Sequence, residues 1–115
     1  MKNNYTKYLS DDEIKALSIL KSNILEKYPT AELILYGSKA RGDYNKDSDI
    51  DVLILLDVDI NSIVDSIIYG NALIAASTQY PDCVISLLIE NKKDWRNYKG
   101  NPFLKKIIIK EGVII

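Results

Sequence analysis

Two short runs of β-forming apolar residues, Leu33-Ile34-Leu35-Tyr36 and Ile50-Asp51-Val52-Leu53-Ile54-Leu55-Leu56, flank a polar segment from Ser38 to Ser48. This pair narrows the folds open to the chain more than any other feature. The first run stops abruptly at Gly37, and the second reads as a strand buried on both faces along most of its length. Helical patterns lie on either side. Ser10-Asp11-Asp12-Glu13 has the form of a capping box, and apolar residues then recur at Ile14, Leu17, Leu20, Ile24 and Tyr28 until Pro29 closes the helix. Ser62-Ile63-Val64-Asp65 opens a second predicted helix with Ile63, Val64, Ile67, Ile68 and Ile74 on its inner face. A break is allowed at Gly70, which weakens a helix by about 1 kcal/mol relative to alanine. Cys83 to Ile89 reads as a third strand; Asn101-Pro102 starts a last helix that Gly112 stops before Val113-Ile114-Ile115. The alternation implies an α/β (α+β) class, helices packed on a small sheet, and leaves the strand order open.

With 115 residues, the chain is read as a single domain over residues 1–115. Fifteen basic against sixteen acidic residues give a net charge of −1, so no large basic surface and no direct nucleic-acid binding are expected. The absence of histidine excludes Ser-His-Asp and Cys-His catalysis and His-ligated metals. A single cysteine, Cys83, excludes an internal disulfide and a Cys-cluster zinc site. Any metal must be held by oxygen. The start, Met1-Lys2-Asn3-Asn4, is too polar for a signal peptide. Apolar runs such as Ile107-Ile108-Ile109 fall far short of the roughly 20 residues a membrane span needs. A cytoplasmic protein without a membrane partner is expected.

The chemistry concentrates in Gly37-Ser38-Lys39-Ala40-Arg41-Gly42 and in Asp49-Ile50-Asp51. Glycine directly after a strand lets backbone amides curl around an anion, a nest that suits phosphate. The Ser38 hydroxyl adds a donor, Lys39 or Arg41 adds positive charge, and Arg41 brings a planar fork suited to a polyphosphate. Asp49 and Asp51 stand two apart at the start of a strand, which puts both carboxylates on one face while Ile50 points to the other. Two such carboxylates suit Mg²⁺, and beside a phosphate loop they equip a site for phosphoryl or nucleotidyl transfer. Taken alone, Gly-Ser is an ordinary turn and Asp-x-Asp an ordinary strand start. Together, G-S-x-A-R-G arises by chance on the order of once in 10⁶ start positions, and the functional reading prevails.

These residues resemble the nucleotidyltransferase fold of the DNA polymerase beta superfamily, and the short chain is similar to its minimal members. The resemblance implies a small mixed β-sheet and an enzyme that moves a nucleoside monophosphate, AMP from ATP above all, to a hydroxyl. It implies that Gly37 and Ser38 hold the β- and γ-phosphates, that Arg41 supports the loop or touches phosphate, and that Asp49 and Asp51 ligate Mg²⁺. Many minimal members are antitoxins encoded beside a HEPN-domain toxin, so the implied partner is a HEPN-type toxin or a second copy of the chain. An antibiotic-modifying relative is the weaker reading, because those normally carry a further domain. The G-x-x-x-x-G-K-[ST] signature of P-loop NTPases is missing.

The sequence departs from the family at the third carboxylate that active relatives carry on the next strand. Cys83-Val84-Ile85-Ser86-Leu87-Leu88-Ile89 contains no acid. Asp82 precedes it and Glu90 follows; Asp82 is the better replacement, although Pro81-Asp82 reads more simply as a turn. Should Val84 occupy the ligand position, transfer would be slow or absent. The alternative function is therefore a non-catalytic antitoxin or binding subunit with a vestigial nucleotide site. Among the remaining residues, Tyr36 is placed to line a base pocket, and Tyr5, Tyr8, Tyr28, Tyr80 and Tyr98 are read as half-buried packing. Trp95 is read as a core cap, Cys83 as inert and buried in its strand, and Lys92-Lys93 and Lys105-Lys106 as solvated faces.

Overall fold

The capping box starts the fold as the sequence predicts. In the computed structural model, which describes residues 4–115, the Glu13 amide donates to Ser10 Oγ at 3.2 Å and the Ser10 amide to Glu13 Oε1 at 2.9 Å. Helix α1 (Asp11–Lys27) buries Ala16, Leu17, Leu20 and Ile24 and ends one residue before the Tyr28-Pro29 step. Strand β1 (Glu32–Tyr36) leads into a four-residue helix, α2 (Ser38–Arg41), and the chain returns as β2 (Ile50–Leu56).

The second helical region is α3 (Ser62–Ile67), a π-helical stretch over Ile68–Leu73, and α4 (Ile74–Gln79). Here the predicted inner face is corrected. Val64, Ile68, Ala72 and Ala76 are buried, whereas Ile63 and Ile74 lie exposed. A strict four-residue repeat drifts about 40° per step on an unbroken 3.6-residue helix. The wider turns around Gly70 cancel that drift and keep the four residues in line.

Strand β3 (Ile85–Asn91) begins and ends two residues later than predicted, so it includes Glu90. Cys83 is thereby half-buried just ahead of the strand rather than within it. Two elements escaped the sequence reading because they are too short for a periodic signal: α5 (Lys92–Arg96) and β4 (Val113–Ile114), the latter following α6 (Pro102–Glu111). The sheet order is β3-β2-β1-β4, with β2 parallel to β3 and antiparallel to β1, and β1 antiparallel to β4. It is a mixed sheet, as expected.

One face of this sheet carries Leu33, Leu35, Ile50, Val52, Ile54 and Leu56 into the main core with α1 and the α3–α4 region. The other carries Ile34, Leu53 and Leu55 into a smaller cluster with Trp95 and Ile108. Trp95 is indeed a core cap, and the five scattered tyrosines are half-buried. The lysine pairs divide. Lys93 and Lys106 are solvated, but Lys92 Nζ donates to Thr30 O at 2.7 Å, and Lys105 Nζ caps α5 by donating to Trp95 O at 2.6 Å and Arg96 O at 2.8 Å. Unsatisfied carbonyls at a helix end attract such cations. Among the described residues, no helix is long and apolar enough to cross a membrane.

Candidate functional site

Where β1 ends, the chain turns through Gly37 at φ 79° and ψ −159°, a conformation open essentially to glycine alone. A Cβ at this position would collide with Asp51 Oδ2 and lie 3.3 Å from its Cγ. The backbone of the loop is thus seated directly against a carboxylate on the neighbouring strand. The Gly37 carbonyl then accepts from the amides of Ala40 and Arg41, both at 3.0 Å, which winds α2 with Ser38 as its first residue. Gly42, at φ 95°, ends it in the left-handed region.

Asp51 pairs across β1–β2 with Tyr36 and across β2–β3 with Ser86. Asp49 lies two residues earlier and accepts a hydrogen bond from the Ser86 hydroxyl at 3.0 Å. Asp49, Asp51 and Ser86 share one end of the sheet face with Tyr36, which packs against the Trp95–Ile108 cluster. Asp49 is exposed and Asp51 half-buried. Burial first, and the Asp49 charge second, push the Asp51 carboxyl above its ordinary value of 3.8, against a smaller downward pull from Arg41. Among the described residues, neither carboxylate enters an ion pair. Two repelling carboxylates, one exposed and one half-buried, offer hard oxygen donors that fit a divalent cation of the Mg²⁺ type. No group of three or more acidic, His or Cys side chains suited to a metal forms among the described residues.

The predicted cations are placed less simply. Arg41 Nη1 donates to Glu111 Oε1 at 2.9 Å and Oε2 at 3.1 Å, while its Nε donates to Asp43 at 3.2 Å. Glu111 Oε1 also accepts from the Gly37 amide at 3.1 Å. A carboxylate from the end of α6 therefore ties Arg41 to the first amide of the loop. Lys39 turns away, buried between Glu13 Oε2 at 2.9 Å and the Tyr44 ring at 4.0 Å. Tyr36 is half-buried, and burial, then Asp51 and Tyr98, raises its phenol so that it stays a neutral donor.

As for the third carboxylate, Asp82 and Asp49 line a common recess of about 440 Å³ together with Ser48 and Lys39. Val84 is exposed at its rim. Glu90 pairs with Leu55, four residues along β3 from Ser86 and so about 13 Å away. The strand residue beside the Asp49–Asp51 pair is instead Ser86. Sequence reading passed over both Ser86 and Glu111. A signal for Ser86 did exist, since it is the one hydroxyl in the apolar run from Cys83 to Ile89. Glu111 offered none, because its contact with Gly37 spans 74 residues.

The family model described as "Nucleotidyltransferase domain" matches residues 17–115. A relative from Methanocaldococcus jannaschii, provisionally named a protein adenylyltransferase, is 43% identical over 56 residues, covering 47% of this chain and 56% of the relative. The chain therefore matches little more than half the length of that protein. Among solved structures, a toxin-antitoxin with AMP-PNP is similar at a TM-score of 0.56 and 21% identity, covering 89% of this chain and 70% of that one. A mutant of the toxin-antitoxin MntA-HpeT follows at 0.55 and 18%, with the same coverage. At such identities the likeness concerns the fold alone.

Proposed function

We propose that this chain, which belongs to the nucleotidyltransferase domain family, transfers AMP from ATP to a hydroxyl of a protein partner, acting as the antitoxin of a toxin-antitoxin pair. The observation that carries this reading is the seating of Gly37 against Asp51, which sets a glycine turn beside a pair of carboxylates. Gly37, whose own amide is taken by Glu111, lets the turn approach the β- and γ-phosphates, and Ser38 holds them with its amide and hydroxyl. Asp49 and Asp51 would hold Mg²⁺, which when bound supplies charge neutralisation for the triphosphate and lowers the pKa of an attacking hydroxyl. Glu111 and Arg41 brace the loop from behind. Neutral Tyr36 stands opposite Asp51 and adds no charge to the site.

In this reading a partner completes the acceptor side of the site. The provisional name of the archaeal relative and the toxin-antitoxin neighbours support a protein acceptor, with a HEPN-type toxin as the candidate and a second copy of the chain as the other option. The reading is tested by incubating the chain and its partner with ATP labelled on the α-phosphate. Label on the partner that requires divalent metal, and that is lost in Asp49→Asn/Asp51→Asn, is the expected result. Label transfer undiminished in that variant overturns it.

A second reading is favoured by one specific observation: β3 presents Ser86, not a carboxylate, beside Asp49 and Asp51. In that case the chain neutralises its partner by contact, and the nucleotide site is vestigial. Binding of the partner without any label transfer is the outcome that selects this reading.

A further inference from the structure

The nearest strand residue to the Asp49–Asp51 pair has an unusual pair of relations to it. The Ser86 hydroxyl donates to Asp49 Oδ2 at 3.0 Å, and in the parallel ladder Ser86 lies directly opposite Asp51. It thus bonds one carboxylate and faces the other. On the same face of β3, Leu88 is taken up by the smaller core cluster, and Glu90 is a further two residues on. The neighbours Ile85 and Leu87 pack with the main core on the opposite face. Nothing in the packing calls for a hydroxyl at position 86, while the carboxylate it touches calls for a donor.

Resting on the nucleotide site proposed above, we infer that Ser86 is a positioning residue for the metal-binding pair. It fixes the orientation of Asp49, and it stands where a third carboxylate would complete the oxygen cage. Hydrogen-bonded partners of ligating groups orient them, and their loss typically weakens metal binding by about 10- to 100-fold. The hydroxyl also sets the charge of the site at two carboxylates. Ser86 bonds Asp49 and faces Asp51, so a third acid at this position would repel both in the absence of a cation and strengthen the site in its presence. With serine there, the bare protein holds a divalent cation weakly, and the remaining ligands come with the triphosphate itself.

The experiment is calorimetric titration of the intact chain with Mn²⁺ alone, without nucleotide or acceptor, with thermal unfolding to show that each variant is folded. Ser86→Asp is expected to tighten Mn²⁺ about tenfold or more, while the isosteric, uncharged Ser86→Asn does not. Ser86→Ala is expected to weaken it about tenfold, and Ser86→Thr, which keeps the hydroxyl, to restore it. The Ala and Thr variants add no charge, so they keep the test valid should the Asp variant fail to fold. Equal affinity in wild type and Ser86→Ala, or no gain in a folded Ser86→Asp, overturns the assignment. The two failures are separable through Asp49→Asn/Asp51→Asn. If that variant abolishes Mn²⁺ binding while the Ser86 series leaves it unchanged, only the role of Ser86 falls; if it too leaves binding unchanged, the nucleotide site falls as well.

Discussion

On the sheet face that meets α1, the residues Ile50, Val52, Ile54 and Leu56 of β2 form an unbroken buried row; on the opposite face, Asp49, Asp51, Leu53 and Leu55 change from charged to apolar half-way along. Both rows come from the same short stretch of chain, interleaved by the period of two. Trp95 and Ile108 cover only the Leu53–Leu55 end, and the carboxylate end stays open. The difference shows how a small domain can hold a charged site without weakening its core. A one-residue slip of β2 would send both carboxylates into the main core, so the apolar row also fixes where the acids stand. Stability and chemistry should then respond separately to substitutions only one residue apart.

The sharpest separation is expected at Asp51. Asp51→Asn should lower nucleotidyl transfer by about 10³-fold, read as label incorporated into the partner, without lowering the melting temperature. The sign follows from the raised carboxyl. A folded-state pKa above 3.8 means that the ionised form is disfavoured by folding, so near neutral pH the charge detracts from stability. The variant should unfold at the same or a higher temperature than wild type at pH 7. That advantage should vanish as the pH falls through the raised value and Asp51 takes up its proton.

On the apolar row, Ile54→Ala should cost about 3 kcal/mol, because Ile54 is fully buried between the sheet and the helices. Denaturant unfolding measures this, and Mg²⁺-dependent ATP affinity of the folded protein should stay near wild type. A loss of affinity comparable to that of Asp51→Asn would show that the two rows are coupled. Gly37→Ala lies between the cases. Its backbone conformation costs a side chain about 2 kcal/mol, and the new Cβ must displace Asp51. Stability and ATP affinity should therefore fall together.

The interleaving was legible in the sequence because strand periodicity is local: Asp49-Ile50-Asp51 assigns two faces with three residues. The capping box was legible for the same reason. What failed depends on distant parts of the chain. Lys39 looks like a phosphate ligand within its own loop, yet the fold brings the start of α1 beside α2, and Glu13 takes the lysine. The position of Ser86 opposite Asp51 needs the register of a parallel pair, which no local pattern encodes. The inner face of the α3–α4 region was misread because a 3.6-residue period was assumed across a stretch that widens at Gly70.

The smallest effect is expected where α1 meets the loop. Glu13 closes the capping box and also pairs with buried Lys39, so Glu13→Gln separates the two roles, because glutamine retains the box and loses the charge. Exchanging a charge-assisted hydrogen bond for a neutral one should cost about 1 kcal/mol. Burial alone would raise the Glu13 carboxyl, but the Ser10 amide and Lys39 together bring it below its ordinary 4.5. A depressed folded-state pKa contributes stability that is present above the unfolded value and is lost as the pH falls through the folded one. The gap between wild type and Glu13→Gln should accordingly be full at pH 7 and close below pH 4.5, in the opposite sense to the Asp51 variant. A gap independent of pH would mean that the charge of Glu13 contributes nothing to holding α2, and that Lys39 is kept in place by Tyr44 and burial alone.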